Sequence, residues 1–144
     1  MHLTTFSDYT LRALIYLALD QTKLATIPVI ATAYGISENH MKKVVHQLAC
    51  AGMVKTLRGK GGGIRLALPP ENIRLGEIVR AAEGAAPIVE CLGEGESACC
   101  ISPACRLNGI LVRAFDALYD VLDEYTLADL VGNRRALKQV LMRA

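Results

Sequence analysis

No apolar run in this chain approaches the roughly 20 residues that a membrane-crossing helix needs, and no stretch of it is low-complexity repeat. The first absence excludes a helical membrane span. The second argues against a disordered chain, since 52% of the residues are hydrophobic and 21% charged, enough to build a core. The opening stretch MHLTTFSDYTLRALIYLALD mixes acids and an arginine among its apolar residues, unlike a secretory signal, so a cytoplasmic location is expected. A nucleophile–base pair, a phosphate-cradling loop and paired carboxylates at motif spacing are all missing, so no enzymatic turnover is expected. Also missing are the paired C-x-x-C spacings of common zinc sites. Cysteine itself is not missing: five are present, an odd number, and in a reducing compartment thiols serve as ligands or redox groups rather than as disulfide staples.

At 144 residues the chain fits one compact domain, or a small domain plus an extension shared with a second copy. Its formal net charge of +2 is unevenly spread. Residues 1–70 hold eight Lys or Arg against three Asp or Glu, whereas residues 71–144 hold eight against eleven. Between Ser37 and Arg65 the basic residues are Lys42, Lys43, Lys55, Arg58, Lys60 and Arg65, opposed by Glu38 alone. The front half therefore has the balance of a polyanion-facing surface.

Periodicity gives that half its elements. SDYTLRALIYLAL carries an i, i+3, i+4, i+7 stripe at Leu11, Leu14, Ile15, Leu17 and Ala18, with Ser7 as its expected N-cap. TIPVIATAYG predicts a short helix from Thr26, with Pro28 in the first turn and Gly35 after its end. SENHMKKVVHQLACAG repeats that grammar, with Ser37 as cap, Met41, Val44, Val45 and Leu48 on one face, and Gly52 as stop. Two short helices joined through Gly35 and Ile36 form a helix-turn-helix pattern. MVKTL, RGKGGG and IRLAL then predict a hairpin with a basic, glycine-rich tip, the wing of a winged helix. The expected DNA-facing residues are Ser37, Asn39, His40, Lys42 and Lys43 on the recognition helix, with Arg58 and Lys60 on the wing tip. His46 and Cys50, further along the same helix, are assigned to packing or plain surface.

RLGEIVRAAEG predicts one more helix, ending at Gly84. Beyond the cysteine segment, SPACRLNGILVRAFDALYDVLDEY predicts a long helix capped by Ser102 with Pro103 at its first position. Leu107, Leu111, Ala114, Leu118, Val121 and Tyr125 alternate spacings of four and three, a coiled-coil seam that predicts a two-fold homodimer. Such a dimer would present two recognition helices to an inverted repeat of double-stranded DNA. TLADLV and NRRALKQVLM read as short helical pieces. The expected architecture is mainly α: a winged helix-turn-helix DNA-binding domain over residues 1–84, a cysteine loop over 85–106, and a dimerisation helix with a helical tail over 107–144.

The stretch CLGEGESACCISPAC holds Cys91, Cys99, Cys100 and Cys105, with Gly93 and Gly95 to bend it. Soft thiolates in a flexible loop suit zinc or an iron-sulfur cluster. Cys105 is expected in the first helical turn, where backbone N–H groups and the positive dipole end stabilise an anionic centre, with Arg106 close by. Side chains of adjacent residues diverge, so Cys99 and Cys100 are not both expected to ligate. Three thiolates leave a cluster one ligand short, and an oxygen or nitrogen donor at that corner would hold iron less tightly.

Five ordered motifs, MHLTTFSDYTLRALIYLA, YGISENHMKKVVHQL, RGKGGGIRLA, ISPACRL and YTLADLV, resemble the Rrf-type iron-sulfur winged-helix regulators over roughly residues 1–131. Within that family ENHM and YTLADLV are most similar to the nitric-oxide-sensing repressors, rather than to members that monitor cluster supply, iron or redox state. The resemblance implies a repressor that releases promoter DNA when nitric oxide nitrosylates its cluster. It also implies that Cys91, Cys99 and Cys105 bind the cluster, of the 4Fe-4S type in preference to 2Fe-2S. In some members an aspartate of the other subunit, near the start of the first helix, completes the coordination; Asp8 is the matching position. On its residues alone Asp8 reads as a helix-start acid favoured by the dipole. Two departures stand out: a longer loop between Cys91 and Cys99, and Cys100 where a histidine often sits. They leave open whether Cys99 or Cys100 is the second thiolate.

Overall fold

The structure, a computed structural model, describes residues 2–84, 87, 89–93 and 99–141. Among these, seven α-helices and one antiparallel strand pair follow in the order α1 (Thr5–Leu19), α2 (Ile27–Tyr34), α3 (Glu38–Cys50), β1 (Val54–Leu57), β2 (Gly63–Leu66), α4 (Leu75–Glu83), α5 (Arg106–Asp123), α6 (Leu127–Leu130) and α7 (Arg134–Leu141). This is the expected mainly helical, winged helix-turn-helix class.

Helix α1 is the axle of the winged body. Its inner face buries Ala13, Leu14, Leu17, Ala18 and Leu19, packed with Ile30, Met41, Val44, Leu48, Ile64, Ile73 and Ile78 from the surrounding elements. Fully burying one such aliphatic side chain contributes about 1.5–3 kcal/mol. The cap of α1 is one turn earlier than the sequence suggests. Thr4 accepts the Ser7 N–H on its hydroxyl at 3.2 Å, whereas Ser7 is wholly buried. Ser7 instead donates its hydroxyl to Glu83 Oε1, which also accepts from Thr4 N at 2.8 Å and from Thr4 Oγ1 at 3.1 Å. The carboxylate at the end of α4 thus satisfies the otherwise unpaired donors at the start of α1. Partial burial pushes the Glu83 pKa up, but these hydrogen bonds outweigh it and hold the carboxyl below its ordinary range.

Helices α2 and α3 end and begin where the glycine and serine signals put them. Gly35 closes α2 in the left-handed region at φ 63°, and Ser37 caps α3 by accepting His40 N–H at 3.3 Å. Strands β1 and β2 pair from Val54 opposite Leu66 to Leu57 opposite Gly63. The hairpin is fastened to the body by a bridge in which Ala25 N donates to Ile64 O at 3.0 Å and Ile64 N to Ala25 O at 2.7 Å. Gly63 makes this approach possible, since a Cβ there would lie 2.7 Å from the Ala25 carbonyl oxygen.

The long helix differs from its expectation in two respects. Ser102–Ala104 is a single 3₁₀ turn, and Cys105, extended at φ −77° and ψ 115°, interrupts it, so that α5 starts at Arg106 with Cys105 in the N-cap position. Ser102 and Pro103 therefore do not open the long helix, and Cys105 precedes its first turn. Helix α5 buries no residue fully. Its half-buried row is Leu111, Phe115, Leu118, Tyr119 and Leu122, and the helix packs on α4. Leu111 and Leu118 of the predicted seam are half-buried within one copy, and the exposed apolar row is Leu107, Ile110, Ala114, Ala117 and Val121, also spaced by three and four. A 3.6-residue turn explains the shift: one monomer packs one side of the helix and leaves the adjacent stripe uncovered.

The far end of α5 is pinned. Arg80 makes a two-pronged ion pair with Asp123, at 3.0 and 2.5 Å, and its guanidinium lies 4.5 Å from the Tyr119 ring centroid. Arg80 holds the Asp123 carboxyl below the usual range. Leu75 N donates to Tyr125 O at 3.0 Å and Leu127 N to Ile73 O at 2.8 Å. From there α6 and α7 return to α1, burying Leu127, Val131 and Leu141.

Candidate DNA-binding and cysteine sites

The candidate DNA-facing surface is built on α3. Met41, Val44, Val45 and Leu48 bury one side of the helix, which turns Asn39, His40, Lys42 and Lys43 outward, all exposed. Exposed Ser37 sits at the cap. Across the hairpin tip Arg58 and Lys60 are exposed, Lys60 flanked by Gly59 and Gly61 at φ 96° and 83°, a backbone only glycine adopts freely. The set carries amide and imidazole groups of the kind that suit base edges, and ammonium and guanidinium groups of the kind that suit a phosphate backbone. His46 and Cys50 are exposed surface, with Cys50 Sγ 3.8 Å from His46 Nε2.

Two contacts on this surface were not anticipated from the sequence. The Tyr9 ring lies 6.0 Å from the His40 ring, centroid to centroid. Arg12 bridges two elements: it pairs with Asp8 at 2.8 Å, and its guanidinium carbon lies 5.9 Å from the centroid of Tyr34 at the end of α2. Burial pushes the Tyr34 phenol up to about 12, against the opposing pull of the Arg12 charge. The Asp8–Arg12 pair does have a sequence signal, the i, i+4 spacing of opposite charges on a helix.

The cysteine segment is described on both sides of 94–98, and Gly95 lies outside the described residues. Cys91 occupies a 3₁₀ turn, Glu90–Leu92, closed where Gly93 N donates to Glu90 O at 3.1 Å. Cys99 accepts from Ser102 N at 3.1 Å through its carbonyl, and Cys105 N donates to Ser102 O at 3.3 Å. Cys91, Cys99 and Cys105 are half-buried, whereas Cys100 is exposed. Asp8, on the first turn of α1, is held by Arg12 of its own chain. Among the described residues no three His, Cys, Asp or Glu side chains gather as a metal-binding group. The donor chemistry of the half-buried thiols nonetheless fits iron and sulfide.

Known proteins agree with this architecture. Residues 3–133 match the model of the Rrf2 family, described as iron-dependent transcriptional regulator. The HTH-type transcriptional regulator NsrR of Bacillus subtilis is 46% identical over 142 residues, covering 98% of this chain and 97% of that one. Its counterpart in Shouchella clausii is 44% identical, covering 98% and 95%. Among solved structures, CymR, the global cysteine regulator of B. subtilis, superposes with a TM-score of 0.72 at 32% identity, covering 92% of this chain and 98% of its own. T. potens IscR gives 0.73 at 26%, covering 92% and 88%. A winged helix-turn-helix with an exposed basic recognition helix, matched almost end to end by such regulators, places this chain in the Rrf2 family of transcriptional regulators.

Proposed function

We propose that the chain is a homodimeric repressor that binds an inverted repeat in promoter DNA and gives it up when nitric oxide reaches an iron-sulfur cluster. The observation that carries the reading is a recognition surface of Asn39, His40, Lys42 and Lys43 in one chain with three half-buried cysteines at 91, 99 and 105. The relatives named NsrR and the iron-dependent description of the family support it. In this reading residues 1–84 bind DNA, 85–106 hold the cluster, and 107–144 supply the dimer helix and a tail.

Cys91, Cys99 and Cys105 would be the thiolate ligands. Exposure of Cys100 supports Cys99 as the second of them. Asp8 of the other subunit would be the fourth, weaker donor, in a 4Fe-4S centre in preference to 2Fe-2S. Such a cluster supplies an iron that a diatomic gas can coordinate. The protein's part is to make that event felt on DNA. Asp8 has two alternatives, its own Arg12 or the neighbouring subunit, and it stands on the same helix that contacts α2 and α3. A carboxylate that changes partner therefore biases the dimer between two arrangements of its recognition helices.

The test is protein purified without oxygen, assayed for iron and sulfide, and titrated with nitric oxide while its hold on an inverted-repeat duplex is followed. Loss of cluster absorbance in step with loss of DNA is the expected result. DNA binding indifferent to nitric oxide but responsive to cluster loading would overturn this reading in favour of a supply sensor, the alternative favoured by the likeness to IscR. Iron-free protein that binds the duplex at full strength would remove both.

A further inference from the structure

A ring near the start of α1 stands against the recognition helix. Tyr9 is half-buried and packs on the edge of the core. Its ring centroid is 6.0 Å from that of His40, with the planes inclined at 45°. His40 is the third residue of α3, and its backbone N–H is committed to the Ser37 hydroxyl. The cap thus fixes the backbone of His40, and Tyr9 limits where its imidazole can swing. An imidazole presents one donor and one acceptor to a base edge when neutral, and its aim decides which base it suits.

An exposed histidine must settle two side-chain torsions before it can meet a base, and that ordering subtracts from affinity. A neighbour that settles them in advance removes the cost. We propose that Tyr9 is a positioning residue for DNA recognition: it holds the His40 imidazole in the attitude that reads a base, and so sets sequence preference at one position of each half-site without touching DNA. This rests on reading α3 as the recognition helix and His40 as one of its base contacts. It is independent of what the cysteines bind.

The experiment uses full-length protein and a duplex selected from random sequence by the wild type, with every single-base substitution of one half-site. Wild type, Tyr9→Leu, Tyr9→Phe, His40→Ala and the Tyr9→Leu/His40→Ala double variant are compared. Binding is scored per active dimer from stoichiometric titration, so that a less stable variant is not read as a weaker binder. Tyr9→Leu should weaken binding to the selected duplex about two- to tenfold, the range expected for freeing one ordered side chain. Its lost discrimination should fall on the same base position as that of His40→Ala. The double variant should bind no worse than His40→Ala, and Tyr9→Phe should retain the wild-type preference. Additive losses, or a Tyr9→Leu loss spread evenly over all positions, would overturn the role of Tyr9 while leaving α3 as the reader. Unchanged discrimination by His40→Ala at every position would overturn the placement of His40 and the proposal with it.

Discussion

The winged body and the long helix are made from similar residues put to opposite uses. In the body Leu14, Ile30, Met41, Ile73, Ile78 and Leu127 are all buried below 2% exposure. Along α5 Leu107, Ile110 and Val121 remain 57%, 60% and 53% exposed. The body closes on itself because α1 is surrounded by α2, α3, α4, α6, α7 and β2. Helix α5 has α4 on one side and its own apolar stripe on the other. Apolar area left in water at this density is the mark of an interaction surface. The difference separates what one copy of the chain covers by itself from the stripe that the proposed second copy would cover.

The sharpest way to break the comparison is to charge the stripe. Val121→Asp should leave the monomer fold unchanged by circular dichroism, since the side chain is exposed in one copy. In a dimer it would bury an unpaired carboxylate on each side of the seam, at about 3–5 kcal/mol for each uncompensated charge. Light scattering should show the molar mass halved at micromolar concentration. A Val121→Asp protein that remained dimeric would place the interface elsewhere.

Leu14→Ala attacks the other region. Leu14 has no exposed surface, and its truncation should cost about 2–5 kcal/mol, with a fall in thermal midpoint of about 2–4 °C per kcal/mol. Molar mass measured well below that midpoint should not change. A coupled loss of dimer and core would mean that the two regions are one cooperative unit.

Glu83→Gln probes the seam between α4 and α1 with a smaller effect, about 1 kcal/mol, by weakening the hydrogen bonds from Thr4 and Ser7. The folded pKa of Glu83 is lowered, so its contribution is present above the ordinary carboxylate range and is lost as pH falls through the depressed value. The stability gap between wild type and Glu83→Gln should therefore close on acidification. A gap that persisted at low pH would show that geometry, not charge, makes this contact. Smallest in free energy is Lys60→Ala on the exposed wing tip. Stability should stay unchanged, and the slope of log affinity against log salt should fall by about one. An unchanged slope would take Lys60 off the phosphate backbone.

Much of the winged body is legible in the sequence because its signals are local. Gly35, Ser37 and the four buried positions of α3 specify a helix boundary and a face within a few residues. The errors share a cause, a partner distant in the chain. Ser7 has the chemistry of a cap, and only the presence of Glu83, 76 residues away, shows why it is buried and why Thr4 caps instead. The heptad at Leu107 and Leu111 is a sound period, but α4 decides which of two adjacent stripes is covered. Nothing local in TLADLV or NRRALKQVL announces that Leu127, Val131 and Leu141 belong to the core of α1. In the cysteine segment, composition points to the chemistry. Of the adjacent pair, Cys100 is exposed and Cys99 half-buried, a difference that the dipeptide itself does not announce.

The Ala25–Ile64 bridge has a mechanical corollary. A hairpin stitched to the strap between α1 and α2 has little travel of its own, so wing and reading helix behave as one stiff stamp. In the dimer proposed above, two such stamps on a common axis would let go of a duplex by altering their pitch relative to its grooves.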